Sequence, residues 1–193
     1  MNSRWLSQLG AKDKWLFLTW PLHGSLPHPS LPPNNQPSAG QTFGWIDRRL
    51  DTARSGPSFL GEEPVASIVA ESLYRGMEIG HYRLGPFVIM ANHVHVLLLP
   101  LVSPSRFLKS LKSVTARNAN RVLGRTGEAF WQRESYDHWV RDEQEWTRVA
   151  TYIENHPVKA GLVFRPENYR WSSAHEMHRQ RSLGAHDSMR YIH

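Results

Sequence analysis

Cysteine is absent from all 193 residues. That excludes disulfides and every zinc–thiolate site, and it fits a reducing cytoplasm. No apolar run approaches the roughly 18 residues needed to span a bilayer. The first residues, Met1-Asn2-Ser3-Arg4-Trp5, do not begin the apolar segment of a secretory signal. A soluble, cytoplasmic protein with no membrane partner is therefore expected. Internal repeats are lacking too. Acidic residues are missing from one long stretch. Between Ser103 and Arg125 stand Arg106, Lys109, Lys112, Arg117, Arg121 and Arg125, with no Asp or Glu, and these six equal the net charge of +6 on the whole chain. A basic balance of this kind favours an anionic partner.

What is present is an ordinary globular composition, 40% hydrophobic and 21% charged, with eight tryptophans. The length predicts one domain over residues 1–175, with a loop-rich insertion at 24–60, and a flexible tail at 176–193. Gly24, Pro27, Pro29, Pro32, Pro33, Pro37 and Gly40 make 24–40 an extended loop. A short helix is expected from Trp45 to Ala53.

The regular elements follow from periodicity. Trp15 to Trp20 reads as a strand ended by Pro21. Glu62 to Glu78 reads as a helix, with Pro64 in its first turn and Val65, Ile68, Val69, Ser72 and Leu73 along one face. Tyr82–Met90 and His93–Leu99 form a hairpin about Ala91-Asn92. Ser103 is expected to cap a helix running to Leu123, with Phe107, Leu111, Val114 and Val122 on its apolar side. Ser135 to Arg141 is a further strand. Asp142 then caps a helix from Glu143 to about Asn155, which Pro157 is expected to end. This order is that of an α+β, ferredoxin-like split βαβ fold. It predicts an antiparallel four- to five-stranded sheet with helices on one face and an added C-terminal helix carrying Tyr152.

Two constellations carry chemistry. His93 and His95 stand at i and i+2 on a strand, so both point to one side, roughly 7 Å apart. Two such imidazoles can reach one divalent metal. Ordinary strands also carry histidines this way, one buried and one near an edge, so the spacing leaves both readings open. On the last helix, Tyr152 and His156 lie one turn apart on the same flank. They can address one point, or Tyr152 can simply pack at the rim. Taken together, His156 would be a third ligand, and Tyr152 would lie beside the metal. A phenol is a poor nucleophile at its ordinary pKa near 10, and a neighbouring cation favours the phenolate. That combination suits attack on a phosphodiester through a covalent phosphotyrosine.

The segments Asn92-His93-Val94-His95-Val96, Phe130 to His138, Tyr152-Ile153 with Pro157 to Val163, and Trp171-Ser172-Ser173-Ala174 resemble the REP-associated tyrosine transposases. These belong to the single-tyrosine HUH-type (IS200-like) transposase family, and the resemblance runs from about Trp15 to Ala174. It implies a metal-dependent single-stranded DNA endonuclease and strand transferase, acting through a 5′-phosphotyrosine on hairpin-forming repeat DNA. Tyr152 would be the nucleophile, with His93, His95 and His156 holding Mg2+ or Mn2+. His156 is a departure, since asparagine or glutamine is usual there. The resemblance also points to a monomer.

Arg106, Lys109, Lys112, Arg117, Arg121 and Arg133 are the expected phosphate contacts, although the helical ones also fit a solvated face. Trp131 and Trp139 are candidates for base stacking or for the core. Two other readings compete: a repeat-DNA-binding protein that has lost cleavage, and an RNA-binding module. The second would show aromatics rather than histidines and aliphatics on the central hairpin.

Overall fold

The structure, a computed structural model, describes residues 14–25, 50, 56–133, 135–175 and 178. The expected loop at 24–40, the expected helix from Trp45 to Ala53 and most of the 176–193 tail lie outside the described residues. Four strands form one antiparallel sheet: β1 (Leu16–Pro21), β2 (Tyr82–Ile89), β3 (His93–Pro100) and β4 (Tyr136–Trp139). Their spatial order is β2-β3-β1-β4. Helix α1 (Glu63–Glu78) joins β1 to β2, α2 (Pro104–Val122) joins β3 to β4, and α3 (Glu143–Lys159) follows β4. This is the split βαβ arrangement expected from the sequence.

Strand alternation sorts the side chains into two layers. Leu16, Leu18 and Trp20 of β1 and Val94, Val96 and Leu98 of β3 point toward α1 and α2. There they form the larger core with Val65, Val69, Leu73, Phe107 and Leu111. Each such side chain, fully buried, contributes about 1.5–3 kcal/mol. The intervening residues point the other way. Phe17, Val88, Met90 and Leu97 meet Ile153 of α3 in a second, smaller core. The helices therefore do not all share one face. α1 and α2 cover one side, α3 the other, and the histidines lie beneath α3.

Local details explain several boundaries. In α1, Gly76 is required by packing, because a Cβ there would overlap the Tyr82 hydroxyl. That hydroxyl donates to the Leu73 carbonyl at 2.9 Å, and burial pushes its pKa well above the ordinary value. Ser103 precedes α2 as expected, but its hydroxyl bonds Ser105 Oγ at 2.9 Å and caps no amide. Val122 is 54% exposed and leaves the expected apolar stripe, which the buried Thr115, Ala119 and Asn120 complete instead. Both polar members are hydrogen-bonded: Thr115 Oγ1 donates to Leu111 O at 2.7 Å, and Asn120 Nδ2 to Glu128 O at 2.7 Å. Trp131 is buried edge-on against Trp20, and its indole N–H donates to Thr115 Oγ1 at 2.8 Å. Trp139 is partly buried against the same core. Trp131 is therefore a packing residue rather than a stacking platform, while Trp139 keeps part of its surface exposed.

Asp142 caps α3 by accepting from the Glu145 amide at 2.7 Å. Pro157 does not end this helix. It sits in the last turn, where a missing amide forfeits a single hydrogen bond, and the helix runs on to Lys159. Termination comes from Gly161, at φ 72°, a left-handed conformation that glycine adopts without strain. Its amide donates to Val158 O and that of Leu162 to Pro157 O, both at 2.9 Å, which closes the helix end.

The Trp171-Ser172-Ser173-Ala174 segment lies along the open edge of β2. Ile89 N donates to Trp171 O and Ser173 N to Phe87 O, both at 2.9 Å, around an isolated bridge between Val88 and Ser172. A covered edge cannot pair with another chain. Ser173 Oγ also donates to Glu154 Oε1 at 3.1 Å, tying this segment to α3. The expected tail starts with an anchor: His178 is buried and stacks on Tyr74, whose hydroxyl meets its Nδ1 at 3.0 Å. Among the described residues no helix is long and apolar enough to cross a membrane.

Candidate active site

His93 and His95 share the β3 face beneath α3, as their spacing predicts, and both are buried. His156 is buried opposite them. It sits inside α3 rather than beyond its end, so the helix sets the direction of its ring. One nitrogen from each of the three histidines falls within 4.8 Å of the other two. His93 Nε2 and His156 Nε2 are 3.3 Å apart.

Each strand histidine is oriented by a neighbour. Asn92 Nδ2 donates to Leu50 O at 2.9 Å, which turns Asn92 Oδ1 toward His93 Nδ1 at 2.6 Å. Oδ1 only accepts, so His93 Nδ1 carries the proton and Nε2 presents a lone pair to the site. On β1, Thr19 is paired in register with His95, and its Oγ1 lies 2.7 Å from His95 Nδ1. That contact directs His95 Nε2 inward. Thr19 was not legible as a site residue, because its role depends on strand register. Asn92 gave only a turn signal.

The histidine set fits a metal. At nitrogen–metal distances of roughly 2.0–2.1 Å, two ligands at a tetrahedral or octahedral angle stand about 3–3.4 Å apart. The His93–His156 separation of 3.3 Å falls in that range. Outer partners on the remote nitrogens are what ligating histidines usually have. These three buried histidines could thus hold a divalent ion.

Tyr152 joins this cluster. Its ring centroid lies 5.8 Å from that of His95 and 5.5 Å from that of His156, and it meets Phe17 edge-on at 6.3 Å. The Tyr152 hydroxyl is buried and makes no hydrogen bond to any of the described residues. A buried phenol without a partner is costly in a finished fold, and is expected where a ligand completes the site. Lys159 Nζ stands 5.5 Å from the Tyr152 ring centre.

The start of α3 is held by Glu145. Its carboxylate accepts from Arg141 N at 2.8 Å, Nε at 3.1 Å and Nη2 at 3.0 Å, and faces His138 Nε2 at 3.1 Å. The Arg141 side-chain hydrogen bonds hold the Glu145 carboxyl down at about 2. This fixes the start of the helix against His138 of β4 and against Arg141 just beyond that strand.

The expected phosphate contacts lie elsewhere. Arg106, Lys109, Arg117 and Arg121 are exposed on the outer side of α2. The sheet separates them from the histidines. Lys112 differs from them: its Nζ donates to Gln132 O at 2.9 Å and Ser135 Oγ at 2.8 Å, holding the loop before β4. Arg133 is exposed in the same loop.

Comparison with known proteins gives three findings. Residues 59–156 match the model of the IS200-like transposases. An uncharacterised protein of Haemophilus influenzae is 26% identical, with 39% of this chain and 54% of that protein covered. The chain thus spans about half the length of that relative. The solved structure of a REP-associated tyrosine transposase bound to a REP hairpin aligns with a TM-score of 0.52 and 16% identity, over 90% of this chain and 82% of that one. At that identity the likeness speaks to the fold, which agrees with the one described above. The family match covers half of the chain and takes in both the histidine strand and the helix as far as His156, and so this protein belongs to the IS200-like transposase family.

Proposed function

We propose that the protein cleaves and rejoins single-stranded DNA, with Tyr152 as the nucleophile. The observation that carries this reading is the Tyr152 ring packed against His95 and His156 of a three-histidine cluster, with its buried hydroxyl bonded to none of the described residues. A transposase that used only hydrolysis would have no need of a phenol at that point.

In the proposed step the Tyr152 oxygen attacks a backbone phosphorus, and its proton passes to solvent. A bond forms between that oxygen and phosphorus. The bond from phosphorus to the 3′ oxygen of the preceding nucleotide breaks, and the departing oxygen takes a proton to become a free 3′-hydroxyl. The phosphorus stays on Tyr152 as a 5′-phosphotyrosine. The exchange is nearly balanced in energy, so an incoming 3′-hydroxyl can reverse it and rejoin strands. His93, His95 and His156 would hold Mg2+ or Mn2+, which supplies charge neutralisation at the phosphate and favours the phenolate. Three imidazoles suit manganese better than magnesium. Asn92 and Thr19 keep two of the rings in place, and Phe17 limits the swing of the Tyr152 ring.

The substrate class follows the same reading: hairpin-forming repeat DNA, cut in its single-stranded flank. Arg106, Lys109, Arg117, Arg121 and Arg133 are proposed to meet phosphates of the paired stem. Such contacts are sequence-independent and salt-sensitive.

The test is a denaturing gel after incubation with a pool of single-stranded hairpin oligonucleotides and manganese. A covalent adduct is expected with the wild-type chain and not with Tyr152→Phe. His93→Ala should lose most of it. An adduct that survives Tyr152→Phe would move the nucleophile elsewhere. Specific binding without any adduct would leave a repeat-binding protein that no longer cleaves.

A further inference from the structure

One groove adjoins the candidate site from outside. It has a volume of about 390 Å³ and is lined by Thr147, Arg148, Thr151, Tyr152, Asn155 and Lys159. All six belong to α3. Arg148, Tyr152, Asn155 and Lys159 stand at i, i+4, i+7 and i+11, which is a straight stripe on a helix. Tyr152 is therefore both a wall of this groove and a neighbour of the histidines. The Cα of Arg148 lies about 6 Å before that of Tyr152 along the helix axis and the Cα of Lys159 about 10 Å after it, while Lys159 Nζ reaches back to 5.5 Å from the Tyr152 ring centre. Between the two cations stand only hydroxyl and carboxamide side chains. None of the six is acidic. Arg148 and Lys159 form no ion pair among the described residues.

We infer that this groove is the binding track for the single strand, with Arg148 and Lys159 taking backbone phosphates on either side of the one that Tyr152 attacks. The inference rests on Tyr152 as nucleophile and adds the path by which DNA reaches it. A cation on each side of Tyr152 fixes the strand lengthwise. Positioning of this kind places the scissile phosphorus against the phenol oxygen. The neutral residues between can donate to phosphate or sugar without base preference. The stripe also explains why the histidine side of the molecule needs no contribution from α2, whose arginines and lysines lie across the sheet. Single strand and paired stem would occupy different layers.

The experiment uses the full chain and a fluorescein-labelled short oligothymidylate, which forms no hairpin, with binding followed by anisotropy across a salt series. Arg148→Ala/Lys159→Ala should weaken binding about tenfold or more, and lower the slope of log affinity against log salt by about 1.4, roughly 0.7 for each phosphate no longer neutralised. Arg75→Ala, which removes an exposed charge of α1 on the other side of the sheet, should leave both unchanged. Arg148→Lys/Lys159→Arg should restore binding, which a loss of folding would not allow. Wild-type affinity in the first variant overturns the track, as does an equal loss in Arg75→Ala, a failure of the conservative variant to bind, or a wild-type chain that ignores oligothymidylate. The adduct gel on hairpin DNA judges Tyr152 separately. An adduct whose yield and salt response are untouched by Arg148→Ala/Lys159→Ala removes the track and leaves the nucleophile standing. Absence of any adduct, with the anisotropy results as expected, removes the nucleophile and leaves a groove for single strands.

Discussion

Thr19→Val tests the candidate site through a residue that touches no substrate. Thr19 is fully buried on β1, directly across from His95, with Oγ1 2.7 Å from His95 Nδ1. Valine has nearly the same shape and keeps the strand propensity, so the substitution removes one hydroxyl and little else. Two consequences follow. The buried Nδ1 loses that partner, at a cost of about 1–3 kcal/mol. The imidazole is also released to adopt the other tautomer, in which Nε2 carries the proton and cannot ligate. Loss of an outer partner of a ligating histidine typically lowers metal affinity by about 10–100-fold, equivalent to about 1.4–2.8 kcal/mol. Isothermal titration with manganese reads the affinity directly, without any turnover. Thr19→Ser, which retains the hydroxyl, should stay near the wild-type value. Manganese binding by Thr19→Val equal to that of the wild type would refute the orienting role. A lower melting temperature with unchanged affinity would leave Thr19 as a packing residue.

Gly76→Ala should destabilise the fold by about 1–3 kcal/mol, because the added methyl group overlaps the Tyr82 hydroxyl, which is itself anchored on Leu73 O; urea unfolding with an unchanged slope would report it. Glu145 gives a pH dependence. Its carboxyl is held down at about 2 in the folded chain, against 4.5 ordinarily, so its contribution to stability is complete above pH 4.5 and is lost as pH falls toward 2. Glu145→Gln should be less stable than the wild type at pH 6, and the difference should shrink on acidification; a gap that persists at pH 2 would point to lost packing instead.

Much of the fold was legible because it follows from local rules. The period-two apolar runs of β1 and β3 and the 3.6-residue stripe of α1 each report burial on one face. Asp142 before an acidic first turn marks a helix start without reference to the rest of the chain. The errors occurred where neighbours outweigh local preference. Pro157 signals a stop, yet in a last turn its missing amide costs little, and Gly161 supplies the actual end. Trp131 carries an indole equally suited to a base or to a core, and only Thr115 and Trp20 decide between them.

The sequence by itself determined the identities of the reactive groups: two histidines on one side of a strand, and a tyrosine one turn from a third. Strand and helix periodicity are properties of the backbone, so those local relations hold wherever the elements pack. The sequence could not determine that the two groups meet. His93 and His156 are 63 residues apart, and their 3.3 Å contact exists because α3 packs on the sheet face that α1 and α2 leave open. Nor could it place the Ser103–Arg125 charges. Helical spacing separates the two sides of α2, but which layer of the sheet α2 covers is a matter of tertiary packing. That choice put Arg106 and Lys109 on one side of the molecule, and left Arg148 and Lys159 beside Tyr152.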